Sequence, residues 1–260
     1  MQSLPAEIHD EDRDVREGIR ETGGGIFLNS VSGLQSPANE QRTLTDSSMI
    51  KNIIFDVDGT LLDSKRDIAG AQLWVLQQLG VENYTEEDLY PHIGKTLQET
   101  FTLLLPDRLH PKIPEAAIMY RDYYRPRALE NTKLFPGVKE TIEILRLKKI
   151  NLATATIKSS ETTKRILTYF GIAEYFSQLQ GTDGMPHKPN PSILNKIMKE
   201  QSWVNEETIM VGDTERDILT GENAGIATCG VTYGTCSREQ ISIARPQWII
   251  DSFPQILTLL

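Results

Sequence analysis

The sequence predicts an α/β fold: a parallel sheet covered by helices, with a block of helices inserted after the first strand. Three observations predict it. From residue 49 onward, short apolar runs alternate with stretches of helical period. Between residues 64 and 130 strand signals are scarce and helical patterns dominate. Before residue 49 no hydrophobic period lasts, and the chain is charged and then glycine-rich.

The elements follow in order. "NIIF" supplies the first strand, with Ile53, Ile54 and Phe55 as its apolar run. Ser64 to Leu79 reads as a helix ended by Gly80 at the position after its C-cap. Helical patterns continue to about Leu129. Within them Thr85 to Asp88, "TEED", reads as an N-terminal cap, and Pro114 suits a first helical turn. Strands return at Ile150–Thr156, Thr208–Gly212, Ile226–Val231 and Gln247–Ile250. Helices are expected at 137–148, 160–170, 190–200 and 215–223. The predicted organisation is therefore an α/β core of residues 49–63 and 131–260, a helical cap at 64–130, and a poorly ordered extension at 1–48.

Composition bounds the function. The chain has 260 residues and a formal charge of -9, and the segment before Met49 alone holds nine acidic and four basic residues. Such a balance argues against a nucleic-acid partner, which asks for a basic stripe. No apolar run approaches the roughly 20 residues that span a bilayer, and the N-terminus shows no apolar signal core. The two cysteines, Cys229 and Cys236, form no CxxC pair, which fits a reducing, cytoplasmic setting.

The chemistry concentrates at strand ends, where open α/β sheets bind ligands. "FDVDGT" sets Asp56 and Asp58 just past the first strand, and strand alternation lets them point the same way. "VGDTERD" sets Asp213 and Asp217 past another. Carboxylates converging there repel unless a cation joins them, and oxygen ligands suit Mg²⁺ rather than zinc. One carboxylate of the pair can attack phosphorus, and the other can pass the proton. Gly59 lets the backbone turn and approach a phosphate, whose oxygens its amides can hold. Asp-x-Asp-Gly is equally a turn sequence. "INLATATIK" ends a strand at Thr156, whose hydroxyl suits a phosphoryl oxygen. "MPHKPNP" holds Lys188 in a stiff loop, where it can act as a point charge.

The four segments "DVDGT", "TATIK", "HKPNP" and "VGDTERD", in that order, resemble the signature motifs of the haloacid dehalogenase superfamily. The resemblance covers Met49 to Leu260. It is nearest to the phosphoglycolate phosphatase-like branch, whose small helical cap falls between the first and second motifs; "PHIGKTLQETF" and "LFPGVKETIEILR" also look like that branch. The resemblance implies a Rossmann-like core. It implies Asp56 as nucleophile, Asp58 as general acid/base, Thr156 as phosphate-binding hydroxyl and Lys188 as charge stabiliser. It further implies Mg²⁺ held by Asp56, Asp213 and the main-chain carbonyl of Asp58, with Asp217 standing behind. One departure is Ile157, where the family often has Asn after the motif-two hydroxyl. Thr154, on the same strand face, is the alternative.

The implied activity is a Mg²⁺-dependent phosphatase acting on a small phosphorylated metabolite. A sugar phosphomutase, a pyrophosphatase or a nucleotidase uses the same fold. Dehalogenation leaves the second aspartate without a purpose, and a non-enzymatic phosphate binder needs no nucleophile beside a proton donor. In the cap, Lys95 on the "HIGK" turn is expected to select an anionic substrate. The cluster "YRDYYRPR" offers further possible selectors, but its tyrosines read more readily as helix-packing aromatics and its arginines as a solvated face.

Overall fold

The computed structural model describes residues 50–260. The extension assigned to residues 1–48 lies outside the described residues. The chain begins with β1 (Asn52–Phe55), followed by the two-residue β2 (Leu62–Asp63). Four helices come next: α1 (Lys65–Gln78), α2 (Glu86–Leu89), α3 (Leu97–Leu104) and α4 (Ile113–Arg127). After β3 (Lys133–Leu134), strands and helices alternate: α5 (Val138–Leu147), β4 (Asn151–Thr156), α6 (Ser160–Tyr169), β5 (Gln178–Gly181) and α7 (Ser192–Gln201). The chain closes with β6 (Thr208–Gly212), α8 (Glu215–Ala224), β7 (Ala227–Val231), α9 (Arg238–Ile243) and β8 (Trp248–Ile250).

Among the described residues, β5, β4, β1, β6, β7 and β8 form one parallel sheet in that spatial order. β1 therefore lies centrally, between β4 and β6, and is buried on both faces. Ile53 and Phe55 join one apolar cluster and Ile54 the other. This is why β1 reads as a continuous apolar run instead of an alternating one. The register aligns Phe55 with Val211, so the residues after β1 and after β6 emerge side by side.

The expected strand at Gln247 starts one residue later, and the helix expected from 190 starts at Ser192, just past Pro189 and Pro191. β5 was not expected at all. Its sequence, Gln-Leu-Gln-Gly, carries no β-branched residue, and tertiary pairing with β4 at the sheet edge makes it a strand.

The helices α1 to α4, between β2 and β3, leave and rejoin the core at one place. β2 and β3 pair antiparallel, Leu62 opposite Leu134. Beside them the Asp67 carboxylate, 8% exposed, accepts from the Asn131 N–H at 3.0 Å, the Asn131 amide at 2.9 Å, the Thr132 N–H at 2.9 Å and the Thr132 hydroxyl at 2.7 Å. A buried carboxylate saturated with donors is stable as an anion. Here it ties the first turn of α1 to the returning chain. No helix among the described residues is long and apolar enough to cross a membrane.

Candidate active site

Three carboxylates meet where β1 and β6 end. Asp56 follows β1, its N–H donating to the Val211 carbonyl at 2.8 Å. Asp213 follows β6 and is fully buried. Asp217 lies one helical turn on, in α8, where its Oδ2 caps the helix by accepting from the Thr214 N–H at 3.0 Å and hydroxyl at 2.6 Å. One oxygen from each of Asp56, Asp213 and Asp217 lies within 4.8 Å of the others. The Lys188 ammonium bridges two of them, 2.8 Å from Asp56 Oδ1 and 2.6 Å from Asp217 Oδ1.

These charges set one another's protonation. Burial pushes the Asp56 carboxyl well above its usual range; Lys188 opposes this, and Asp217 and Asp213 add to it. Asp213 is raised to about 7 by burial and by Asp217, against a hydrogen bond from the Thr235 N–H at 2.7 Å. For Lys188, burial favours the neutral amine, but Asp217 and Asp56 outweigh it and hold the ammonium charged. Three carboxylates around one lysine leave an excess of negative charge. An oxygen-only donor set of that kind fits a hard divalent cation such as Mg²⁺.

The turn after β1 is tight because Asp213 leaves no room. Gly59 has φ +84°, and a Cβ there would stand 2.0 Å from the Asp213 carboxylate. Gly59 was expected to let the backbone approach a phosphate. It instead faces Asp213 and lines a separate cavity of about 140 Å³ with Ser64 and Tyr233.

Asp58 occupies a different environment. Its Oδ1 accepts from the Ser64 hydroxyl at 2.6 Å, and its Oδ2 lies 3.1 Å from the Lys158 ammonium. Lys158 also donates to the Tyr124 hydroxyl at 2.7 Å. The pairing of Lys158 with Asp58 is not legible in sequence, because the two meet only when β1 and β4 pair. Thr156, at the end of β4, lines the main cavity. Thr154 does not reach it: its hydroxyl is fully buried and accepts from the Gln180 N–H at 3.1 Å.

That cavity, about 630 Å³, lies between the strand ends and the helices that follow β1. Asp56, Asp58, Thr156, Lys158, Lys188 and Asp213 line one side. From the helical segment between β2 and β3 come Gln72, Tyr120 and Tyr124, and from the turn before α3 comes Lys95. Lys95 thus reaches the cavity wall, with its ammonium 2.7 Å from the Pro91 carbonyl. Its turn abuts the core at Gly94, φ +86°, where a Cβ would stand 3.2 Å from Thr214 Cγ2. Nearby, Arg216 grips Glu99 through two nitrogens, at 2.6 and 3.1 Å. The reading of "YRDYYRPR" as packing residues and a solvated face needs correcting. Tyr123 does stack on Trp74, but Tyr120, Tyr124, Arg121 and Arg125 line the cavity. The helical period turns the two kinds of tyrosine to different sides.

Comparison with known proteins adds a family context. Residues 53–231 match the family described as haloacid dehalogenase-like hydrolase. A phosphoglycolate phosphatase of Vibrio parahaemolyticus is 37% identical over 219 residues, covering 80% of this chain and 95% of the relative. The pyrophosphatase PpaX of Halalkalibacterium halodurans is 32% identical, covering 81% and 96%. Among solved structures, a predicted phosphoglycolate phosphatase from Haemophilus somnus superposes with a TM-score of 0.74 at 28% identity, covering 82% of this chain and 99% of the other.

Proposed function

Because the chain belongs to the haloacid dehalogenase-like hydrolase family, we propose that it hydrolyses a small phosphomonoester through an aspartyl-phosphate on Asp56, with Mg²⁺ as cofactor. It is a hydrolase of phosphoric monoesters. The observation that carries the finer reading is the division of Asp56 and Asp58 between two environments. Asp56 sits among carboxylates with Lys188 on one oxygen. Asp58 is held apart by Ser64 and Lys158. Neighbouring carboxylates in contrasting surroundings take contrasting roles.

In this reading Asp56 attacks phosphorus with its free oxygen while Lys188 steadies the other. Asp58 gives its proton to the leaving oxygen and then takes one from the water that cleaves the acyl-phosphate. The Thr156 hydroxyl and Lys188 hold phosphoryl oxygens. The carboxylates of Asp56 and Asp213 and the main-chain carbonyl of Asp58 would hold Mg²⁺, while Asp217 fixes Lys188. When bound, the ion supplies positive charge against the phosphoryl oxygens. The helices of residues 64–130 act as a cap that excludes bulk water, and Lys95 offers a cation at the cavity wall. Free Cys229 and Cys236 accord with a cytoplasmic setting.

Phosphate release from para-nitrophenyl phosphate, with Mg²⁺ and with a chelator, tests this reading. Asp56→Asn is expected to lose at least about a thousandfold in kcat, because it removes the group that forms the intermediate. Activity within tenfold of wild type would sink the assignment. Phosphoglycolate and pyrophosphate belong in the same panel, given the relatives' activities.

A further inference from the structure

Three consecutive residues touch both of the segments that would bring metal donors together. The chain bends after β7, from Thr232 to Cys236. Within this bend the Tyr233 hydroxyl donates to the Thr60 carbonyl at 3.1 Å. The Thr235 N–H donates to Asp213 Oδ2 at 2.7 Å. Gly234, between them, passes so close that a Cβ would stand 2.3 Å from the Gly59 carbonyl oxygen and 2.4 Å from Asp213 Cβ. The φ of Gly234 is not positive, so its missing side chain serves the close approach and not a left-handed backbone.

The two segments hold each other only loosely. The turn after β1 carries the Asp58 carbonyl, and the Leu61 and Leu62 N–H groups close it on the Val57 carbonyl, each at 2.9 Å. Asp213 comes from the end of β6. The hydrogen bond between them, from the Thr60 hydroxyl to Asp213 Oδ1, is long at 3.4 Å. The bend, in contrast, is anchored at both ends. Thr232 donates from its N–H to the Ile250 carbonyl at 3.1 Å and from its hydroxyl to Asp251 at 2.7 Å. At the start of α9 the Ser237 N–H donates to Gln240 Oε1 at 2.8 Å. The Tyr233 ring packs edge-on against Phe135, with centroids 4.9 Å apart. A strut fixed at its ends and bonded to both segments sets the distance between them.

That distance bears on which ion fits. Mg²⁺ asks for oxygen ligands at about 2.0–2.1 Å in near-octahedral geometry, whereas Ca²⁺ takes more ligands at about 2.3–2.6 Å; cavity size and flexibility decide between them. Donors held close together and unable to spread favour the smaller ion.

We propose that Tyr233, Gly234 and Thr235 form a brace that holds the Asp58 carbonyl and the Asp213 carboxylate together and so discriminates Mg²⁺ from Ca²⁺. Tyr233 is a positioning residue, acting through Thr60; it does not line the main cavity. The inference rests on the reading above in which Asp56, Asp58 and Asp213 hold a divalent ion.

The test is the rise in melting temperature of the chelated protein on titration with Mg²⁺ or with Ca²⁺, which reports each Kd without turnover. Tyr233→Phe keeps the ring against Phe135 and removes only the hydroxyl. It is expected to raise the Kd for Mg²⁺ about threefold to tenfold, the range that one neutral hydrogen bond accounts for. The Kd for Ca²⁺ is expected to rise by less than about twofold, so that the ratio of the Ca²⁺ to the Mg²⁺ Kd falls. Gly234→Ala, which pushes the two segments apart, is expected to lower that ratio further. Without either ion, Tyr233→Phe is expected to melt within a few degrees of wild type. An unchanged Kd for Mg²⁺, or equal weakening of both ions, would overturn the brace and leave the metal site standing. A much lower melting point in chelator with an unchanged ratio would make Tyr233 a packing residue only, and would overturn it too. No response of the wild type to either ion would overturn the metal reading and the brace with it.

Discussion

The Lys158 ammonium stands 3.1 Å from Asp58 Oδ2 and 2.7 Å from the Tyr124 hydroxyl. One lysine past the end of β4 thus touches both the carboxylate proposed for proton transfer and helix α4. Lys158→Met is expected to lower kcat about tenfold to a hundredfold on an alkyl phosphate, because Asp58 loses its charged neighbour and its fixed orientation. Tyr124→Phe removes only the link to the cap and is expected to cost less than about fivefold. Steady-state kinetics of both variants check this. Equal defects in the two would argue that Lys158 serves the cap and not Asp58.

Asp58→Asn is expected to be severe where the leaving group is a poor one. Proton transfer contributes about a hundred- to ten-thousandfold. Para-nitrophenolate leaves with little need of a proton, so the defect shrinks on that ester. Matched rates for Asp58→Asn and wild type on activated and alkyl esters decide the point; an equal defect on both would remove Asp58 as the acid.

Protonation at the carboxylate cluster gives a stability signature. Asp213 is raised from the ordinary carboxylate range to about 7, so the folded state holds its proton where the unfolded chain has lost it. The sign follows: stability of the metal-free protein falls as pH rises from about 4 to 7, and the full penalty is present above that window. Mg²⁺ needs the deprotonated carboxylates, so its stabilising effect grows over the same range. Thermal melts with a chelator are expected to drop by several degrees between pH 5 and 8, and Mg²⁺ to restore most of the loss at pH 8. A melting point that rises with pH in the chelated protein would contradict this.

The pair Arg216–Glu99 joins α8 to α3 beside the candidate site, since Arg216 also reaches the Lys188 carbonyl at 3.4 Å. Hydrogen bonds from Arg216 and Thr96 lower the Glu99 carboxyl to about 2, so the pair stays charged at any working pH. Being partly exposed, it is worth only about 0.2–1 kcal/mol to stability. Glu99→Gln is therefore expected to change the melting point by at most a few degrees, yet to raise KM about two- to fivefold by loosening the cap. Kinetics across ionic strength check it, because the wild-type KM is expected to rise with salt and the variant's to respond less.

Local pattern carried the core of this protein. The strands β1, β4, β6 and β7 announce themselves by apolar, β-branched runs, and the acidic residues that follow β1 and β6 are visible in the chain. Lys188 is legible as a lysine between prolines. The contacts that give Asp58 its surroundings are not legible: Lys158 and Tyr124 come from β4's end and from α4, and only tertiary packing brings them together. Gln72 is silent in the sequence for a related reason. A glutamine in an amphipathic helix reads as a surface residue, and α1 turns this one inward. β5 escaped notice because its neighbours in space, not its own residues, make it a strand.

The Asp67 clasp has a consequence for the architecture. The helical segment departs and returns through adjoining points, pinned by β2 against β3 and by Asp67 against Asn131 and Thr132. A segment whose two ends already touch can be exchanged for another of different length at little entropic cost, since loop closure grows only slowly with length. The catalytic floor is left as it was by such an exchange, because all its carboxylates belong to the sheet side of the junction. On the proposed reading the fold is thus a socket with an interchangeable roof, in which the sheet would supply the chemistry and whatever is plugged in above it the choice of substrate.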